Sequence, residues 1–210
     1  ANVACGFHAG DEETMKQIVQ ISGTNGVSIG AHPSFNDPDN FGRKRINLSS
    51  AEIRKLILDQ YEILQNIAIK NNETVSHIKP HGALNNMACE DIELANILAK
   101  SINEISQDLI YLVPTGSKME EAAKRLNMKI ACEIFADRNY EDDGNLVSRQ
   151  KPNALITNPE EAQKHVLNMV KNQALNCLSG KQIPCKIDSV CIHGDNKSSL
   201  ATAKSIKKNL

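Results

Sequence analysis

The chain has 210 residues, enough for one domain with a sizeable core. A formal net charge of −1, 3 % aromatic residues and no Trp exclude the basic footprint and base-stacking platforms of nucleic-acid binders. No apolar run nears the ~20 residues of a membrane span. No signal peptide is visible. None of the six cysteines forms a Cys-x-x-Cys pair, and Cys5, Cys132 and Cys191 fall in apolar runs. Buried free thiols in a reducing, cytoplasmic protein are therefore expected.

Asn2 to Cys5 reads as the end of a strand. Asp11 then caps a helix running to Thr24, with Met15, Ile18, Val19 and Ser22 on one face, and Asn25-Gly26 stops it. Val27 to Ala31 is a short strand, followed by a polar loop from His32 to Asn47. Loops that long in a compact domain are often functional. Ser49-x-x-Glu52 is a capping box. The helix behind it carries Ile53, Leu56, Ile57, Leu64, Ile67 and Ala68 on one stripe. Val75 to Ile78 is a strand, Lys79 to Cys89 a loop and Asp91 to Ser106 a helix. Ile110 to Val113 is a strand, and a short helix runs to Leu126. Lys129 to Phe135 is a strand, and a polar loop extends to Asn158. Asn158-Pro159-Glu160-Glu161 is a helix start with cap, proline and acids in place; that helix runs to Ala174. Leu175 to Asp188 reads as a connector, Ser189 to Ile192 as a strand and Lys197 to Asn209 as the closing helix.

Six strands alternating with helices predict a parallel α/β sheet. Periodicity alone does not distinguish a closed barrel from an open doubly wound sheet. An open sheet concentrates its site at one switch point, whereas here polar blocks follow nearly every strand, which favours a barrel. Those blocks are Cys5-Gly6-Phe7-His8-Ala9-Gly10-Asp11, Gly30-Ala31-His32-Pro33, Lys79-Pro80-His81-Gly82 and His193-Gly194-Asp195-Asn196. Catalytic groups of parallel barrels meet at the carboxyl rim, so His8, His32, His81 and His193 are expected around one pocket.

Each block has a competing structural reading. Asp11 is a helix cap that could also orient His8. His32 is held extended by Pro33. Lys79 at the end of an apolar strand is costly to bury without a partner, and beside His81 it suits stabilisation of a developing oxyanion. His193 closes an apolar strand, with Asp195 two residues on. Arg43 could supply a guanidinium for a carboxylate or phosphate, although alone it reads as a solvated charge, and Asp137-Arg138, after a strand, could form an ion pair at the rim. His77 reads as a half-buried strand ring and His165 as part of an amphipathic helix. No phosphate loop, dinucleotide fingerprint, nucleophile elbow or His-Glu-x-x-His helix is present. His, Asp and Lys without an evident nucleophilic Ser fit acid/base hydrolysis by water, with or without a divalent metal.

The segments Asn2 to Asp11, Ile29 to Phe35, Lys79 to Leu84, Glu133 to Arg138 and Ile192 to Asp195 resemble, in order and over essentially the whole chain, the LamB/YcsF family, that of the A subunit of 5-oxoprolinase. The resemblance implies a seven-stranded TIM-like (β/α) barrel of the glycoside hydrolase/deacetylase type. It also implies ATP-dependent opening of 5-oxoproline to glutamate with two partner subunits; the missing phosphate loop points to ATP being handled on a partner subunit or at a site unlike the common ones. The family opens on an Asp-Leu-Asn-Cys-Asp strand that this sequence does not contain, so a single barrel domain over 1–210, shortened at its N-terminus, is expected. Asn85 stands where the family usually has Tyr, and Lys44 where a second Arg is frequent.

The resulting expectation has His81 or His8 deprotonating water and Lys79 stabilising oxygen charge. His193 with Asp195 protonates the leaving nitrogen, and Arg43 or Arg138 holds the substrate carboxylate, near Asp137. Two alternatives stand beside it. One is a metal-dependent deacetylase or amidase, with His8, His81 and His193 as candidate ligands. The other is a protein that binds a lactam without cleaving it.

Overall fold

The computed structural model describes residues 1–194 and 197–210, and the chain forms two compact units. Asp195, expected beside His193, lies outside the described residues.

The first unit comprises Ala1–Val113 and Lys118–Ile130. It runs β1 (Asn2–Ala4), α1 (Glu12–Thr24), β2 (Ile29–His32), a 3-10 turn (Pro38–Asn40), α2 (Ser50–Lys70) and β3 (Val75–Ile78). It continues through α3 (Gly82–Glu90), α4 (Ile92–Ile105), β4 (Ile110–Pro114) and α5 (Lys118–Arg125). Its strands lie in the order β1-β2-β3-β4, all parallel.

Local chemistry explains the elements. The Asp11 carboxylate accepts from the Thr14 amide at the start of α1, whose buried face is Met15, Val19 and Ser22. Both halves of the Ser49/Glu52 capping box form at the head of α2. The buried stripe of α2 contains one polar residue, Gln60, among Ile53, Leu56, Ile57, Leu64, Ile67 and Ala68. Gly30 on β2 faces the His77 ring of β3, and a Cβ there would stand 2.0 Å from His77 Nε2. Glycine is what lets the two strands keep that ring between them.

One element departs from the sequence reading: most of the loop expected from Lys79 to Cys89 belongs to α3. Its buried residues, Ala83, Leu84, Asn85 and Ala88, gain from packing what Gly82 and two adjacent asparagines lack in helix propensity.

The second unit comprises Pro114–Ser117 and Ala131–Leu210. It contains β5 (Ile130–Phe135), α6 (Pro159–Asn172), β6 (Ala174–Asn176), β7 (Gln182–Pro184), β8 (Ser189–Cys191) and α7 (Ser199–Asn209). β5 and β8 pair in parallel. The expected connector after α6 contains an antiparallel hairpin, β6 with β7. Ile134, Phe135, Tyr140, Val166, Met169, Leu175 and Ile206 make up most of this unit's core. The Tyr140 hydroxyl accepts from the Phe135 amide at 2.8 Å, which pins the polar loop after β5 to its strand. All six cysteines are free. Among the described residues no helix is long and apolar enough to cross a membrane.

Candidate active site

In the first unit, the chain leaves the carboxyl ends of β1, β2 and β3 carrying His8, His32 and His81, and the three rings meet. His8 lies stacked on His81 with centroids 4.0 Å apart and planes 9° from parallel, and His32 stands edge-on to both. His8 and His81 are 3 % and 7 % exposed.

Hydrogen bonds fix what each ring nitrogen can do. His32 Nδ1 lies 2.6 Å from the Lys79 carbonyl, and His81 Nε2 lies 2.9 Å from the Phe41 carbonyl. Carbonyls only accept, so both nitrogens carry hydrogen. His81 Nδ1 meets His32 Nε2 at 3.0 Å. His8 Nδ1 lies 2.7 Å from Ser34 Oγ, whose own proton goes to the Phe35 carbonyl. His8 therefore donates from Nδ1, and its Nε2 keeps a lone pair with no hydrogen-bond partner among the described residues. Burial first, then the charges of His81 and Arg43, holds the His8 imidazole down to about 3. His32 is held well below the usual histidine range, by burial and then by His81 and Lys79.

The loop after β2 forms one wall. Phe41 and Gly42 have φ of 56° and 66°, and Phe41, unlike glycine, adopts that conformation at a steric cost. The turn aims the Phe41 carbonyl at His81, and the Phe41 ring stands edge-on to both His8 and His81 at 5.3 and 5.2 Å. A Cβ on Gly42 would lie 3.0–3.1 Å from His8, His81 and Ser34. The Asp37 carboxylate holds this turn by accepting from Asn40 Nδ2 and the Lys44 amide. Arg43 lies over the Phe41 ring at 5.0 Å.

Behind His8 stands a buried polar clamp. Gln60 Oε1 accepts from the Ser34 amide at 3.0 Å, while its Nε2 donates to the Ser34 and Leu56 carbonyls at 2.8 and 3.1 Å. Gln60 and Ser34 are both fully buried. Neither is among the residues expected from the sequence. The available signal was a glutamine on an otherwise apolar helical stripe, since a buried amide requires partners.

Other expected residues are placed differently. Asp11 is exposed, caps α1 and does not orient His8, a task that falls to Ser34. Lys79 is buried and supplies its carbonyl to His32. In the second unit, His193 Nδ1 sits 2.8 and 2.9 Å from the two carboxylate oxygens of Asp137 and stacks on Phe135. Asp137, expected to hold substrate, thus orients an imidazole whose Nε2 faces away from it. Arg138, also expected on substrate, is buried and donates to the carbonyls of Val147 and Ala154, bracing the loop that follows β5. Both nitrogens of the candidate metal ligand His81 are engaged in hydrogen bonds, and among the described residues no group of three or more His, Cys, Asp or Glu is placed to hold a metal ion.

The chain is similar along its length to known proteins. The family model described as "LamB/YcsF family" matches residues 1–210. The chain is 42 % identical over 210 residues to the A subunit of 5-oxoprolinase from Nitrobacter winogradskyi and 43 % identical to that from Clostridium beijerinckii. It covers 82 % of each. It superposes with a TM-score of 0.90, at 33 % identity, on the crystal structure of the lactam utilization protein from Thermus thermophilus. That match covers 99 % of this chain and 83 % of the other, and shows the parallel α/β fold expected from the sequence. With its family model, its relatives and its fold in agreement from end to end, the chain belongs to the LamB/YcsF family.

Proposed function

We propose that this chain acts in the ATP-dependent hydrolysis of 5-oxoproline to glutamate, as one component of a multi-subunit 5-oxoprolinase, and carries the water-activating step. The names of its relatives support the substrate class, and the histidine cluster supports the chemistry. A five-membered lactam is a poor electrophile. Transfer of a phosphoryl group from ATP to its oxygen, on a partner protein, activates the ring carbon. Water then adds to that carbon and gives its proton to the bare Nε2 of His8. The C–N bond breaks with its electron pair on nitrogen, which takes up a proton, and the resulting acyl phosphate hydrolyses to glutamate and phosphate.

The observation that carries this reading is the tautomer of His8. Ser34 accepts from Nδ1 and leaves one lone pair open in an otherwise saturated cluster. His81 has no such open nitrogen, so of the two candidate bases His8 is the one to test. The test is ATP-coupled glutamate release from 5-oxoproline by the chain assembled with its partner subunits. His8→Gln is expected to lower turnover by ~100-fold or more, the usual scale for loss of a general base. Turnover within threefold of wild type would remove His8 from that role.

A further inference from the structure

We infer that His32 and His81 share one proton beyond their neutral complement, so that the pair is a resident cation whose task is electrostatic rather than acid/base. This rests on the water-activating role proposed for His8.

The reason is the number of hydrogens the pair must supply. Three hydrogen bonds run through its four ring nitrogens: His32 Nδ1 to the Lys79 carbonyl, His81 Nε2 to the Phe41 carbonyl, and His81 Nδ1 to His32 Nε2. Two neutral imidazoles bring only two N–H hydrogens. With both carbonyls served, a neutral pair would set two lone pairs against each other at 3.0 Å. One further proton satisfies all three bonds.

Burial and the neighbouring Lys79 charge, which lower His32, oppose the extra proton, as does the N-terminus of α3, which His81 caps. In its favour stand three hydrogen bonds that a neutral pair cannot all make, and a buried polar nitrogen left unpaired is itself costly. Around the pair stand His8 beyond β1, the Cys5 thiol, whose proton is held by burial up to about 12, Lys79 at the end of β3, and Arg43 and Asp37 in the loop after β2. The Asp37 carboxylate is directed to Asn40 and Lys44.

The three protons are all directed at partners within the cluster, so the pair is not built to deliver one. Its positive charge lies against His8 and adds to the burial that already disfavours protonation of that stacked ring. It also offers compensation to negative charge developing on a carbonyl or phosphoryl oxygen beside His8. His32 and His81 are positioning residues in this account, and His8 alone exchanges a proton with substrate water.

The experiment has two arms. In the first, the full chain is labelled with 15N at histidine and its ring nitrogens are followed by NMR from pH 5 to 8, without substrate. The expected result at pH 7 is a pair with three protonated nitrogens and an N–H–N coupling between two rings. Two neutral rings, each with one bare nitrogen, would overturn the proposal without touching the role of His8. In the second arm, His81→Gln and His32→Gln are assayed for glutamate release in the assembled enzyme at pH 7.5 and pH 5. Without the neighbouring charge one of the causes that lower His8 is gone while its burial remains, so the ring takes up a proton more readily as pH falls than in wild type. The variant-to-wild-type ratio is therefore expected to be lower at pH 5 than at pH 7.5. A ratio independent of pH would mean the pair only holds the site together, and would overturn the electrostatic role.

Discussion

The clamp made by Gln60 is the most direct test of how the scaffold controls the site. Its amide makes three hydrogen bonds, two of them to the backbone of Ser34, and both residues are inaccessible to solvent. Gln60→Leu keeps roughly the volume and removes every polar partner. The Ser34 amide and carbonyl are then left unpaired in the interior, at about 1–3 kcal/mol each. Greater apolar burial at position 60 returns about 1 kcal/mol. The net loss is about 3 kcal/mol, which for a chain of this length lowers Tm by about 6–12 °C. Urea denaturation checks it, with the midpoint falling and the slope unchanged. Gln60→Glu should be no milder, since it keeps an acceptor for the Ser34 amide but sets carboxylate oxygens against two carbonyls. Because Ser34 orients His8, glutamate release by the assembled enzyme should also fall about tenfold with Gln60→Leu, on the scale of a catalytic group displaced by part of an ångström. A stability change under 1 kcal/mol for Gln60→Leu would refute the view that the Ser34 backbone depends on this side chain.

Three further outcomes are expected. Burial holds His8 down to about 3 and His77 to about 4; unfolding restores both toward 6.5, so the unfolded chain binds more protons below that pH and stability falls as pH drops toward the folded values. At pH 5 each ring costs about 2 kcal/mol relative to pH 7.5, and His8→Gln should shrink the difference between urea midpoints at the two pH values accordingly; an unchanged difference would contradict the burial. Arg138→Met removes two charged hydrogen bonds to the loop after β5, worth about 1.5–3 kcal/mol each, and limited proteolysis should cut within residues 139–157 at least tenfold faster. Asp137→Asn replaces the carboxylate that holds His193 Nδ1 with an amide, and the ring 1H–15N NMR signal of that nitrogen should shift or broaden as the charge-assisted hydrogen bond is lost; an unchanged signal would show that the contact at 2.8 Å is not made in solution.

Much of the architecture was legible in the chain itself. Asp11, Ser49 with Glu52, and Asn158 with Pro159 announce their helices because capping is local chemistry between residues a few positions apart. The strands at Val75–Ile78 and Ile130–Phe135 stand out as short apolar runs between polar blocks. The helix at Gly82–Glu90 was hidden because Gly82, Asn85 and Asn86 read as breakers, and only burial of Ala83, Leu84 and Ala88 outweighs them. The hairpin of Ala174–Asn176 with Gln182–Pro184 was hidden because strands of three residues show no period.

For the site, the sequence by itself supplied the histidines, since a polar block after a strand is visible wherever the strand is. It also supplied the loop that contains Phe41 and Gly42. Only the tertiary structure decided which ring nitrogens are occupied. Ser34 and Gln60 lie 26 residues apart and meet behind His8, and the Phe41 carbonyl reaches His81 across 40 residues. A hydrogen bond depends on the position and direction of two groups in space, and neither is encoded in a residue's type or in its spacing along the chain.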